Sequence, residues 1–338
     1  MSQLRVDKIT NGSGEFSLLD GTFSKRAGSD SVAWAKTGNN TAEASQDLIV
    51  EVDGTVVKIP EGTTISMPTL AAGTDYAIWV NPDGTLQADT SFTVAPTAGG
   101  RRVGGFHYAP GGKASFSLNA GDGGTTAQIM DTSFYDLKWR PSVVDPRGLV
   151  LVGDGSFWAG MYHMSANHLT GPVHKYNVNP CRDGNPPQNI TGAGNYPNAR
   201  AHNLIESLLF HGFRVPSLWE FALMTYGTNE LRSIGGSGPG LTGDVADRGK
   251  DQQTSAWGVF DATGVLWHWG SQITFGTSNV SVFDLARQGN SQVTDFFRLG
   301  GAWNSSNESG SLFNAHNPVL FTENTRGARG VCDHLILE

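Results

Sequence analysis

The sequence predicts an α+β fold in which an antiparallel β-sandwich precedes a mixed C-terminal domain. Three patterns carry this reading. Residues 31–118 are short β-branched runs broken by Asp-Gly and Pro-Asp-Gly turns. Helical patterns then occupy residues 199–211 and 217–227. The rest of the C-terminal half consists of loops and short runs rich in Trp and Gly.

Residues 1–30 are polar, with Val6, Ile9, Phe16, Leu18 and Leu19 as apolar anchors, and are too few to bury a core alone. They form a short N-terminal β segment that docks on something, or a frayed arm. In residues 48–59, Asp53-Gly54 separates two β-branched runs. That is a strong hairpin signal, because Gly accepts the positive φ of a tight turn. Residues 76–80 and 85–88 flank Asn81-Pro82-Asp83-Gly84, where Pro82 sets φ early and Gly84 follows. Residues 103–108 read as another strand. No helical period competes, so a small sandwich is predicted. Residues 119–149 form a connector whose aromatic and Arg content is too high for a flexible spacer.

Residues 150–338 make the last domain. Its first helix sets Leu204, Ile205, Leu208 and Leu209 on one face and stops at Gly212. Its second opens on Ser217-Leu218-Trp219-Glu220, a capping box after Pro216. Trp219, Trp257, Trp267, Trp269 and Trp303 are expected to brace the loops, their indole N–H groups holding loop carbonyls.

Composition narrows the function classes. The chain carries 44 glycines in 338 residues without a Gly-x-y period, which means tight turns rather than collagen. Net charge is −8 and no Lys/Arg run exceeds two residues, so nucleic-acid binding is not expected. No apolar stretch approaches the roughly 18 residues of a membrane span, and the N-terminus lacks a signal-peptide h-region. Synthesis in a cytoplasm without membrane insertion is the simpler expectation. Two cysteines, Cys181 and Cys332, cannot form a disulfide framework, and spacing leaves open whether they form one bridge.

Catalytic motifs are weak. His163, His168, His174, His202 and His211 lack the close pairing of a zinc site. Gly153-Asp154-Gly155-Ser156 and Gly235-Gly236-Ser237-Gly238 do not make a nucleophile elbow, and no phosphate-binding loop is present. Asp244, Asp247 and Asp251 do not match an EF-hand and are interleaved with Arg248 and Lys250. No catalytic residue, metal or cofactor is predicted. Residues 303–326 differ in kind: Asn and Ser are dense around isolated Phe, His, Glu and Arg. Such a composition fits a binding surface of adaptable hydrogen-bonders around a few anchors, or a plain polar loop.

Several segments resemble a known family. They are Val103-Gly104-Gly105-Phe106-His107-Tyr108-Ala109-Pro110-Gly111, Asp145-Pro146-Arg147-Gly148, Asn167-His168-Leu169-Thr170, Gly300-Gly301-Ala302-Trp303-Asn304 and the last twelve residues from Gly327 to Glu338. They are similar to the major tropism determinants, retroelement-diversified receptor-binding proteins of phage tail-fibre tips. The resemblance runs from about residue 22 to the C-terminus. It implies a homotrimer with a β-prism-like N-terminal part, a β-sandwich and a C-terminal C-type-lectin-like domain. It also implies a virion protein without enzymatic activity, held by other tail proteins through its N-terminus. The implied partner is a host surface protein or glycan. The receptor-binding positions it implies are Ala302, Asn304, Ser305, Ser306, Glu308, Asn314, His316, Asn317, Phe321, Glu323, Thr325 and Arg326. The family's diversified codons are adenine-rich, which Asn304, Asn307, Asn314, Asn317 and Asn324 fit. The stretch is poorer in aromatics than is usual in the family, implying a more polar receptor.

Two alternatives remain: a structural tail or baseplate protein with this face buried, and an enzyme. For the latter, Arg214-Val215-Pro216-Ser217-Leu218-Trp219-Glu220-Phe221-Ala222, residues 258–269 and Gly300-Gly301-Ala302-Trp303 resemble the formylglycine-generating enzymes, relatives of the lectin fold. Those enzymes need a pair of cysteines near the C-terminus, whereas this chain has only Cys332 there and Cys181 far upstream.

Overall fold

The computed structural model describes residues 8–11, 14–17, 23–25, 30–276, 293–318 and 322–337. Val6, Leu18 and Leu19 of the N-terminal segment lie outside the described residues. The chain forms two compact units. The first takes Met1–Ala109, Ala127–Arg140 and Leu335–Glu338; the second takes Pro110–Thr126 and Pro141–His334. Of residues 119–149, those from 127 to 140 pack with the first unit, and 119–126 and 141–149 with the second.

In the first unit, β1 (Lys8–Asn11) pairs with β2 (Gly14–Ser17). β3 (Phe23–Lys25) is followed by the hairpin of β4 (Trp34–Gly38) and β5 (Thr41–Ala44). β6 (Leu48–Val52) and β7 (Thr55–Ile59) meet at Asp53 and Gly54, whose φ values of 49° and 74° are the left-handed pair that a two-residue hairpin turn requires. The largest sheet collects β8 (Ile65–Ser66), β9 (Thr74–Val80), β10 (Leu86–Asp89), β11 (Arg101–Ala109), β12 (Gln128–Ile129) and β13 (Tyr135–Asp136). Its order is β12-β11-β9-β10-β8, with β13 also on β11. One pairing departs from the antiparallel expectation: β10 runs parallel to β8. Trp34, Val50, Ile78, Val80 and Phe106 lie in one buried cluster, with Tyr76 stacked on Phe106 at 5.5 Å. β11 passes so close to its neighbours that side chains are excluded. A Cβ on Gly104 would lie 2.5 Å from the Trp34 indole nitrogen, and one on Gly105 2.5 Å from the Tyr135 hydroxyl.

A buried carboxylate ties this unit together. Asp136 Oδ2 accepts from the Ala33 amide at 2.8 Å and from Lys25 Nζ at 3.3 Å. Its Oδ1 accepts from the amides of Lys138 at 2.7 Å and Trp139 at 2.8 Å. Burial pushes the Asp136 pKa up; Lys25 and the three amides pull against it.

The second unit follows β14 (Trp139–Pro141). β15 (Leu149–Val152) pairs with β16 (Phe157–Gly160). α1 (Ala201–Phe210) buries Ala201, Leu204 and Leu208, an i, i+3, i+7 stripe. Leu209 and Phe210 stay exposed, so the apolar face is narrower than predicted. α2 (Leu218–Met224) begins at Ser217 with both arms of the capping box formed. It ends three residues before the expected Gly227, at Met224. Trp219, expected to brace the interior, is 76% exposed on its outer face, while Phe221 and Met224 point inward. A four-stranded sheet then forms from β17 (Trp267–Gly276), β18 (Val293–Leu299), β19 (Asn314–Pro318) and β20 (Arg326–Gly327), in the order β19-β18-β17-β20. β21 (Val331–Ile336) pairs through Val331, Cys332 and Asp333 with β16. The described chain is thus mainly β with two short helices, a smaller helical share than the α+β prediction allotted. Among the described residues no helix is long and apolar enough to cross a membrane.

The core of the second unit is charged. Arg329 is fully buried and donates to the carbonyls of Gly160 at 2.7 Å, Phe260 at 2.6 Å and Asp261 at 3.2 Å. Burial pulls its pKa down to about 9, against the attraction of Asp261. Lys250 and Asp261 form a buried ion pair at 3.0 Å. The His163 and His268 rings stack at 4.5 Å. Burial, then the positive charge of Arg329 and neighbouring groups, holds His163 and His268 well below the usual imidazole range and His174 at about 3.

Two outcomes follow from this packing. Replacing Asp136 by Ala leaves Lys25 with only the Ser31 carbonyl as a hydrogen-bond acceptor among the described residues and strands three amides, and should lower stability by about 3–5 kcal/mol in a denaturant titration. Acid should also destabilise the second unit. Above an unfolded-state pKa of about 6.5, His163, His174 and His268 are neutral folded or unfolded, and pH has no effect through them. Below it the unfolded chain takes up protons that the folded chain refuses, so stability falls as pH falls. For three such groups the loss between pH 7.5 and 5.5 is roughly 4 kcal/mol. Unfolding midpoints at the two pH values measure it; equal midpoints contradict it.

Candidate functional site

The turn that follows β18 is built by its backbone. Trp303 N–H donates to the Val265 carbonyl at 2.9 Å, and the Trp303 carbonyl accepts from Gly235 at 2.9 Å. The Ser306 carbonyl accepts from Ser233 at 3.0 Å and the Ser309 carbonyl from Leu231 at 2.8 Å. Within the turn, Ser305 N–H donates to the Ala302 carbonyl at 3.0 Å and Glu308 N–H to the Ser305 carbonyl at 2.8 Å. The Ser305 hydroxyl accepts from the Ala302 amide at 3.0 Å. Gly300 and Gly301 open the turn with φ of 90° and 80°. A Cβ at either would lie 2.5 Å from another group, the Phe221 ring for Gly300 and the Glu308 carbonyl oxygen for Gly301. Asn304, Ser306, Asn307 and Glu308 project outward from this frame, exposed and without a side-chain hydrogen bond among the described residues.

The rest of the candidate stretch returns to the sheet. Asn314, His316 and Asn317 lie on β19, half-buried and paired with Leu299, Phe297 and Phe296 of β18. His316 Nδ1 meets the buried Asp295 carboxylate at 2.7 Å. Asn317 Oδ1 accepts from Arg326 Nη2 at 3.0 Å, across from β20. Glu323 Oε2 accepts from the Thr325 hydroxyl at 2.7 Å and pairs with Arg326 Nη1 at 2.8 Å. The Thr325 carbonyl accepts from Trp267 at 2.9 Å. Beneath them, the Arg298 guanidinium sits 4.3 Å from the centroid of the Trp267 ring, whose own centroid is 5.7 Å from that of Phe313. Burial lowers the Arg298 pKa against the charges of Glu323 and Glu308. Burial brings Arg326 to about 10, opposed by Glu323 and reinforced by Arg298. Both remain cations at neutral pH.

The twelve sequence-predicted positions therefore divide. Asn304, Ser306, Glu308 and Glu323 are exposed; Ser305, Asn314, His316 and Asn317 are partly so. Phe321 lies outside the described residues. Ala302, Thr325 and Arg326 are 0%, 5% and 3% exposed. Surface positions were expected there; instead Ala302 is fixed by its bridge to Val265, and the Thr325 and Arg326 side chains turn inward onto Glu323 and Asn317. Sequence reasoning missed Arg298, the cation under the face, because Trp267 and Glu323 are 31 and 25 residues away along the chain. It also missed Leu312, a leucine 64% exposed beside the polar positions. Trp269 is buried as expected, but the indole N–H groups of Trp269 and Trp303 have no partner among the described residues. They brace by packing rather than by holding carbonyls.

Comparison with known proteins places this geometry. The chain is 41% identical, over 93% of its length and 85% of the relative's, to the tail fiber receptor-binding protein of Bordetella phage BPP-1. The chain belongs to the major tropism determinant family. A sequence model described as the Mtd second domain matches residues 32–136. Among solved structures, the Major Tropism Determinant M1 variant superposes with a TM-score of 0.83 at 40% identity, covering 93% of this chain and 86% of that one. The P3c variant gives a TM-score of 0.81 at 38% identity, covering 91% and 84%.

Members of the tropism determinant family are named for binding, and the thiols here agree with that rather than with cysteine chemistry. Cys181 and Cys332 are both free and buried. Burial pushes the Cys181 thiol well above its usual range and Cys332 up to about 12. Neither is a thiolate at neutral pH, so they do not supply the reactive pair that a formylglycine-generating enzyme needs. Among the described residues no three His, Cys, Asp or Glu side chains converge as metal ligands.

The division between exposed and buried positions is measurable. Asn304→Ala and Glu308→Ala should leave the melting temperature within about 2 °C of the parent. Arg326→Ala, which removes a buried guanidinium and strands Asn317 and Glu323, should cost about 2–4 kcal/mol by the same melt or by denaturant.

Proposed function

We propose that this chain is a phage tail-fibre receptor-binding protein that attaches the virion to a host surface. It acts by binding, not catalysis. The observation that carries the reading is the 302–309 turn, whose backbone is fastened by main-chain hydrogen bonds while Asn304, Ser306, Asn307 and Glu308 stay exposed. A rigid frame with freely chosen side chains is what recognition of a changing receptor needs. The family membership and the name of the Bordetella phage relative support the same reading.

In this reading residues 150–338 form a C-type-lectin-like domain and residues 31–118 a β-sandwich, and residues 119–149 link them while packing partly with each unit. The pairing of β15 and β16 with the C-terminal β21, beside the separate sheet of β17–β20, supports the lectin-like assignment. Residues 1–30 attach the protein to other tail proteins. The protein acts as a homotrimer in the virion tail, with residues 302–326 open to diversification by a retroelement. The receptor, a host surface protein or glycan, meets the exposed Asn304, Ser306, Glu308, Leu312 and Glu323. The buried Thr325 and Arg326 position that face from beneath. Single contacts of this kind are weak, and three copies per fibre raise avidity by about 10²–10⁴ when all can engage.

Virions carrying the triple substitution Asn304→Ala, Ser306→Ala and Glu308→Ala should adsorb to the host at least about tenfold more slowly than the parent, with assembly and melting temperature unchanged. Adsorption at the parental rate would remove the face from the mechanism.

A further inference from the structure

The second unit carries a polar pocket that shares no residue with the 302–326 face. Its volume is about 250 Å³, and Asn167, Asn177, Asn179 and Asn185 line it together with Val178 and Leu241. No lining residue is charged. The walls are irregular backbone, yet they are firmly held. Asn177 N–H donates to the Thr242 carbonyl at 2.9 Å, and Thr242 N–H returns to the Val178 carbonyl at 2.9 Å. Val178 N–H also donates to the Thr242 hydroxyl at 3.1 Å. Cys181 N–H reaches the Met164 carbonyl at 2.8 Å, and Arg182 and Asn185 exchange backbone bonds of 3.2 and 2.9 Å.

The side chains contrast with that frame. Asn167, Asn177 and Asn179 are exposed, and their side-chain amides make no hydrogen bond among the described residues. Asn185 uses its Nδ2 on the carbonyls of Asn179 and Pro180, at 3.3 and 3.0 Å, which leaves its Oδ1 for another donor. Four amides on a preformed frame offer both donors and acceptors, and Val178 and Leu241 add apolar surface. The lack of lining charge disfavours an ionic ligand or a metal ion. A ring with hydroxyls at its edges and C–H groups on its face matches both features.

We propose that this pocket binds a neutral carbohydrate ring. Main chain ties its wall to the segment that follows the 302–326 stretch: Met164, next to the pocket-lining Ser165, donates to the Ala328 carbonyl at 2.9 Å, two residues past Arg326. The pocket is a subsite separate from residues 302–326, and its side chains contribute the same contact whatever those residues become. The inference goes beyond the receptor-binding reading and can fail without it.

The test titrates the full-length protein with the neutral methyl glycosides of glucose, galactose, mannose and N-acetylglucosamine, followed by saturation-transfer NMR and calorimetry. At least one should bind saturably. Asn167→Ala with Asn179→Ala, which breaks no hydrogen bond of the fold, should weaken that binding by about tenfold or more with an unchanged melting temperature. Glu308→Ala should leave it unchanged. Absence of binding by all four glycosides, or equal binding by the pocket variant, overturns the proposal. If in either case the 304/306/308 variant still adsorbs poorly, the receptor-binding reading stands alone. If the glycoside binds and only the pocket variant loses it, while the 304/306/308 variant adsorbs normally, the pocket stands and the face falls.

Discussion

Residues 302–309 hold their shape through main-chain hydrogen bonds to Leu231, Ser233, Gly235 and Val265, and the rest of the candidate face depends on that arrangement. Backbone donors and acceptors are the same whatever side chain follows them. A loop fixed in this way can change its outward residues without losing its conformation. A loop fixed by side-chain contacts could not, because each substitution would remove about 1 kcal/mol of net hydrogen bonding or leave a partner unsatisfied. The exceptions mark the edges of the freedom. Gly300 and Gly301 have no room for a Cβ, and the Ser305 hydroxyl closes the turn on the Ala302 amide.

Beneath the face, charge is used where a hydrocarbon core would be ordinary. Arg329 binds three carbonyls from two separate segments, and Lys250 pairs with Asp261 beside it. Desolvating such groups is costly, and a buried ion pair is weak grounds for claiming high stability. What the guanidinium supplies is geometry: donors in a fixed plane join the carbonyl of Gly160, at the end of β16, to the loop carbonyls of Phe260 and Asp261. The stacked, uncharged His163 and His268 belong to the same region, and their depressed pKa values follow from burial next to these cations. The same logic recurs closer to the surface, where Arg298 lies on Trp267 and Arg326 is held by Glu323 and Asn317. Loops held in this way present both the exposed Asn304, Ser306, Asn307 and Glu308 and the asparagine pocket.

Local signals were legible in the sequence where a feature depends on neighbours along the chain. Asp53-Gly54 marked a two-residue hairpin because only residues tolerant of positive φ fit it, and Ser217 with Glu220 marked a helix start because both arms of the capping box lie within four residues. The exposed loop at 304–308 was legible from its Asn and Ser density and from family resemblance. Features decided by remote contacts were not. Trp219 carries a core-like side chain yet points to solvent, and Leu209 extends an apolar pattern that the helix does not bury. The parallel pairing of β10 with β8 has no local signature.

The amino-acid sequence by itself determined the turns, the helix start, the absence of a long apolar run or a Lys/Arg run, and the family. Only the tertiary structure decided which of residues 302–326 face outward. Thr325 and Arg326 read as surface residues like Glu323, but they are buried because β20 lies parallel to β17 and brings Arg326 within reach of Asn317 on β19. Burial is a property of segments that meet in space, here residues 267, 298, 317 and 326, and no local pattern of side chains encodes that meeting.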